Sequence, residues 1–141
     1  MDRRNSEGYP DLTAAEALAN VAREERAKSK QYRPLVYICS PFAGETEYNI
    51  SRARGYCRFA VGNGCIPLAP HLHFPQFMDD DDRKQRELGI FFALVLLGKC
   101  DEVWVFGGRV SDGMAREIDT ARQRGIQVRR FNEKCEEVQG A

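Results

Sequence analysis

With 141 residues and 21 acidic against 21 basic side chains, the chain has the size of one domain and no net field to draw it to nucleic acid or an anionic membrane surface. Its longest apolar run, Ile90 to Leu97, is far too short to span a bilayer, and the opening MDRRNSEGYP holds no signal-peptide core. Five cysteines form an odd set without a C-x-x-C pair; scattered, reduced, mostly buried thiols fit a reducing cytoplasm.

In chain order, the spacing predicts a helix from about Thr13 to Lys28, alanine-rich and then heavily charged. It reads as an appended arm (1–33), a packing or oligomer contact or else a frayed terminus. Pro34 stops it. Leu35-Val36-Tyr37-Ile38-Cys39 is the first core strand, ending at Ser40-Pro41-Phe42-Ala43-Gly44. A helix from about Thr46 to Val61 buries Ile50, Ala53, Cys57 and Ala60 and turns Arg54 and Arg58 to water. After Gly62-Asn63-Gly64, Cys65-Ile66-Pro67-Leu68 forms a second strand, put at an edge by its proline.

Pro70 to Asp82 (PHLHFPQFMDDDD) is a long irregular segment whose histidines and phenylalanines exceed what a connector needs. The aspartates read as a solvated acidic turn preceding a helix. That third helix, about Arg83 to Gly98, begins charged and ends apolar around its full circumference. Such a helix leaves phenylalanine and leucine exposed unless something covers its outer side, and a second subunit, or else the N-terminal arm folding back, would do so.

The organising stretch is Asp101 to Ala121. Val103-Trp104-Val105-Phe106 reads as a strand buried on both faces. Gly107-Gly108 breaks it, and Ser111-Asp112-Gly113 offers two N-cap candidates before a helix with Met114, Ile118 and Ala121 on its buried stripe. Glu117 flanks that stripe one turn in, and its carboxylate should lean back toward the loop and the strand end. Ile126 to Phe131 is a fourth strand, and the charged tail (133–141) reads as loose.

Strand and helix alternate throughout, which predicts a flavodoxin-like (Rossmannoid) α/β three-layer sandwich over residues 34–132, with a four-stranded parallel sheet of order 2-1-3-4. Ligands in such sheets bind at the carboxyl ends beside the switch point between strands one and three. The segments leaving those ends are Ser40-Pro41-Phe42-Ala43-Gly44 and Gly107 to Gly113. Topology and Glu117 therefore select the same crevice. Ser40, Pro41, Phe42, Gly44, Gly107, Gly108, Ser111, Asp112, Gly113 and Met114 are its candidate lining, with His71 from the segment expected to lie over it.

Val36-Tyr37-Ile38 followed by Ser40-Pro41-Phe42, with Ser111 to Glu117 (SDGMARE) downstream, resembles the nucleoside 2-deoxyribosyltransferase superfamily, and most of all its compact bacterial and phage DUF4406-type branch. The resemblance covers about Leu35 to Phe131. It implies a glutamate nucleophile attacking the anomeric carbon of a nucleoside or nucleotide, matched by Glu117, and a tyrosine that positions it, matched by Tyr37. It also implies that Ser111 meets a 5′-phosphate, often across a subunit interface, so a homo-oligomer is expected, a dimer or a multiple of dimers. A carboxylate beside a forming oxocarbenium stabilises the charge and can trap the sugar. The helix N-terminus should favour its anion by roughly 0.3–1 kcal/mol.

One departure stands out. The superfamily usually carries a second carboxylate, which protonates the leaving base, on the helix before the third strand; the matching stretch Gly89 to Leu94 has none. Either Glu87, Asp82 or a histidine replaces it, or the protein is a nucleotide-binding or sensing module without catalysis. His71 and His73 have no third ligand at motif spacing, so no metal is expected, and without G-x-G-x-x-G no dinucleotide cofactor is either. Asp101 starts its strand at the end away from the crevice and reads as structural.

Overall fold

The structure, a computed structural model, describes residues 13–29 and 32–139; the polar leader before Thr13 and the last two residues of the tail lie outside them. The chain divides into two compact units, one ending at Tyr32 and one beginning at Arg33. In the first, helix α1 (Ala14–Ser29) opens where the Thr13 hydroxyl accepts the Glu16 amide at 3.1 Å.

In the second unit, β1 (Leu35–Cys39), β2 (Ile66–Leu68), β3 (Glu102–Phe106) and β4 (Gln127–Phe131) are parallel, and β5 (Glu137–Val138) adds an antiparallel edge, in the order β2-β1-β3-β4-β5. Tyr37 sits opposite Val103, and Cys39 opposite Val105. Period-two alternation then divides the core. Val36, Ile38, Trp104, Phe106 and Phe131 pack with Tyr56 and Ala60 of helix α2 (Thr46–Gly62). Tyr37, Cys39, Val103 and Val105 pack with Leu97 of helix α4 (Arg83–Leu97) and with Met114, Ile118 and Ala121 of helix α5 (Asp112–Gln123). Both faces of β1 and β3 are thus covered, which explains their unbroken apolar runs. On the α2 side, Tyr56 stacks on Phe106 at 4.2 Å and Phe106 on Phe131 at 5.1 Å, contacts that add to area burial.

Three expectations are corrected. Over its described residues, 133–139, the tail is not loose: the Asn132 side chain accepts the Lys134 and Glu136 amides at 2.9 and 3.0 Å, turning the chain back to form β5. Glu137 then takes both ends of the Arg129 guanidinium, at 2.7 and 3.0 Å, while that guanidinium lies 5.0 Å from the Trp104 ring. The sheet therefore has five strands, the fifth secured by a tight turn at Asn132 and by Arg129 eight residues before Glu137.

The segment Pro70 to Asp82 is not irregular throughout, since Pro70–His73 is a helical turn, α3, and Phe74–Gln76 a 3₁₀ turn. Pro70 is the first residue of the one and Pro75 the second of the other, positions where a missing amide leaves nothing unsatisfied. Finally, α2 buries Tyr56 with Ala53 and Ala60, leaving Ile50 and Cys57 partly exposed.

Candidate active site

Two strand-to-helix junctions build the site. Beyond β1 the chain leaves through Ser40 and Phe42. Beyond β3 it turns at Gly107, whose φ of +97° is a left-handed conformation that side chains rarely adopt. The Gly107 amide is held by the Phe131 carbonyl at 3.0 Å. Ser111 caps α5, its hydroxyl accepting the Met114 amide at 3.3 Å, which fixes the helix start and with it the position of Glu117.

Between these junctions, α3 and α4 lies a cavity of about 570 Å³, within the usual range for a small-molecule site. Tyr37, Ser40, Phe42, His71, Ser111, Asp112, Gly113, Met114 and Glu117 all line it. Pro41, Gly44, Gly107 and Gly108 do not; the glycines shape the turns rather than the wall.

Glu117 lines the cavity with Tyr37, while the Cys39 thiol is turned to the Met114 carbonyl at 3.9 Å. Burial dominates the Glu117 carboxyl and raises its pKa to about 7, with the polar side chains of Cys39 and Tyr37 opposing. This reverses the expectation of a favoured anion. Glu117 sits in the second turn of α5, where the helix-end field has faded, and desolvation wins. Burial pushes the Tyr37 phenol well up, and the adjacent carboxylate adds to the effect.

Opposite, the Ser40 hydroxyl and His71 Nε2 are 3.0 Å apart, and Phe42 meets the His71 ring edge-on at 6.1 Å. Burial lowers the His71 pKa to about 4, so the imidazole is neutral near pH 7.

The wall contributed by α4 is Gln85, Arg86, Gly89, Ile90, Ala93 and Leu94, free of acids as its sequence requires. Neither suggested carboxylate replaces the missing one. Asp82 caps α4 through the Lys84 amide at 3.1 Å, and Glu87 pairs with Arg83 at 3.2 Å on the exposed face; neither lines the cavity. Asp79 and Asp80 do line it, with Arg86 and Arg116. Sequence reasoning passed over these four. The aspartate run looked like a plain solvated turn, and only the four-residue spacing of Arg86 to Ile90 hinted at a shared face. Among the described residues no cluster of three metal-ligating side chains occurs and no helix is long and apolar enough to cross a membrane.

A family model, described as a domain of unknown function (DUF7768), matches residues 34–131. The chain belongs to the DUF7768 family. That family, rather than the DUF4406-type branch, is the one the match gives. No curated protein matches this DUF7768 chain. Among solved structures it is similar to a 2-deoxyribosyltransferase from the psychrotolerant bacterium Bacillus psychrosaccharolyticus, with a TM-score of 0.54 and 21% identity over 70% of this chain and 72% of that one. That protein is described as a biocatalyst for the synthesis of antiviral and antitumoral nucleosides. At this identity the likeness is one of fold, and this DUF7768 domain has the α/β architecture of a deoxyribosyltransferase.

Proposed function

We propose that this protein cleaves the base–sugar bond of a nucleoside or nucleotide, with Glu117 as nucleophile. One observation carries the reading: a buried carboxyl group in the wall of a nucleoside-sized cavity, with Tyr37 in the same wall and a pKa raised to about 7. In the first step a Glu117 oxygen bonds to the anomeric carbon while the C–N bond breaks, its electron pair leaving with the base, which takes a proton from solvent or from an acid at the cavity mouth. In the second, water or another base attacks the same carbon and releases the carboxylate, giving hydrolysis or transfer. Stacking between Phe42 and the apolar α4 wall suits a planar base, and Ser111 with the first turn of α5 suits a 5′-phosphate.

The acid-free wall at Gly89, Ile90, Ala93 and Leu94 supports a second reading, a nucleotide-binding or sensing module that leaves its ligand intact. Incubation with a panel of nucleosides and monophosphates, followed by chromatography for free base, separates the two. Base release that disappears in Glu117→Gln is the expected result; binding without release supports the sensor, and release unaffected by Glu117→Gln removes the nucleophile assignment.

Two further features belong to this reading. All five cysteines are free thiols, which suits work in a reducing cytoplasm. On α4, Leu88, Phe91, Phe92 and Val95 form an exposed stripe at helical spacing, beside the cavity-lining face of the same helix. A second copy covering it makes a homodimer with both cavities near the interface.

A further inference from the structure

Two polar groups in the cavity wall, Ser40 and His71, have no part in the bond-breaking scheme. Ser40 follows the last residue of β1 and is 7% exposed, and its hydroxyl oxygen lies 3.0 Å from His71 Nε2. The imidazole is carried by the α3 turn that Pro70 opens, and the Phe42 ring meets it edge-on. The placement of one hydrogen follows. A buried hydroxyl needs an acceptor for its proton. Among the described residues the Ser40 hydroxyl has one partner, Nε2, so the hydroxyl donates and Nε2 accepts. In a neutral imidazole the other nitrogen, Nδ1, then carries the ring hydrogen. Burial lowers the His71 pKa to about 4, so near pH 7 the ring holds that hydrogen and no second. Among the described residues Nδ1 has no partner, yet the sealed unpartnered side-chain atom there is Arg52 Nε; Nδ1 therefore stays accessible, on a ring that lines the cavity.

We propose that His71 gives the departing base, through Nδ1–H, the assistance that the acid-free α4 wall lacks, with Ser40 as the positioning residue that keeps the hydrogen on that atom. This rests on the reading of the cavity as a site of base–sugar cleavage. As the C–N bond breaks, its electron pair moves onto the base, and negative charge grows on the ring nitrogens and carbonyl oxygens. A neutral N–H donor aimed at such an atom makes a hydrogen bond that strengthens toward the transition state. No proton changes hands at His71: the base departs as a hydrogen-bonded anion and takes its proton from solvent afterwards. The ligand selected is a base that presents an acceptor, a ring nitrogen or a carbonyl oxygen, toward α3.

Two measurements test this. The chain has two histidines, His71 and His73, so nitrogen-15 NMR of the full chain labelled at histidine, assigned with His71→Phe, reads the tautomer. The parent should carry the hydrogen on Nδ1 at pH 7, and Ser40→Ala should move the ring toward the Nε2–H form. A parent with its hydrogen on Nε2 overturns the proposal. Base release is then compared for 2′-deoxyguanosine and 2′-deoxyuridine and for analogues with better leaving bases, the 7-methylguanine and 5-fluorouracil deoxynucleosides, each also as its 5′-monophosphate. His71→Phe should slow the ordinary substrates about 10²–10³-fold and the activated ones far less. His71→Asn, which keeps an amide N–H near the place of Nδ1, should recover part of the loss, and Ser40→Ala should show a smaller loss with the same dependence on the leaving base. Equal losses on ordinary and activated substrates mean a structural role and overturn the proposal. Release that needs Glu117 but not His71 sinks this proposal alone, whereas a parent that releases no base from any of them takes the cleavage reading down as well.

Discussion

Tyr37 on β1 and Glu117 on α5 both line the cavity, and their proximity acts on the two in opposite senses. It helps hold the phenol protonated and, against the pull of burial, draws the carboxylate toward ionisation. Neither residue has this property in isolation, because parallel pairing of β1 with β3 brings together a strand and a helix from distant parts of the chain.

A stability consequence follows with a definite sign. The folded pKa of Glu117, about 7, lies above its ordinary value of roughly 4.3. The native state therefore keeps a proton that the unfolded chain releases, and stability falls as pH rises between those two values. Glu117→Gln removes the titration, so it should be more stable than the parent at pH 8 by on the order of 1–3 kcal/mol, with the advantage gone at pH 4. Urea denaturation at both pH values measures it. An equal difference at both would mean that the carboxylate is not titrating in the fold.

Ligand should tighten the segment Pro70 to Asp82, which contributes Pro70, His71, Phe74, Pro75 and Met78 to the cavity wall. The Leu72, Phe77 and Met78 amides, bonded within the segment to Ala69 and Phe74 carbonyls, should gain hydrogen-exchange protection when a nucleoside monophosphate is added. Unchanged protection there would put the ligand elsewhere.

The outer stripe of α4 supplies a test of assembly. Phe91 is 61% exposed and Phe92 and Val95 more than a third exposed, an apolar surface whose burial is worth about 25 cal/mol per Å². Sedimentation at micromolar concentration should show a dimer for the parent and a monomer for Phe91→Glu, with the circular dichroism of the folded parent retained and a thermal midpoint lowered by the lost association. A monomeric parent would free the stripe from this role.

Local signals carried much of the fold. The five-residue run of β1, the serine cap of α5 and the edge proline of β2 each declare themselves within a few positions, and Asp101 at the foot of β3 behaves as its place implies, accepting the Leu35 amide at 2.7 Å at the end of the strands away from the cavity. What stayed hidden depends on contacts that no local pattern announces. Strand β5 is only two residues long and is stabilised by Arg129 from across a turn. The titration of Glu117 depends on how many groups enclose it, which no helical spacing reveals. Cys39 reads as one more small apolar residue until α5 is seen to lie over it.

The two borders of the sheet carry a further consequence. On one side, β2 is three residues long with a proline at its centre, so it cannot donate a full ladder to an incoming strand. On the other, the short β5 covers β4, and its Glu137 carboxylate is committed to Arg129. With both borders blunted, copies of this protein are poor templates for growth into an extended ribbon, and loss of β5 by truncation after Asn132 would uncover β4 as an adhesive edge. Protection against edge-to-edge growth thus rests on Pro67 at one border and Glu137 at the other.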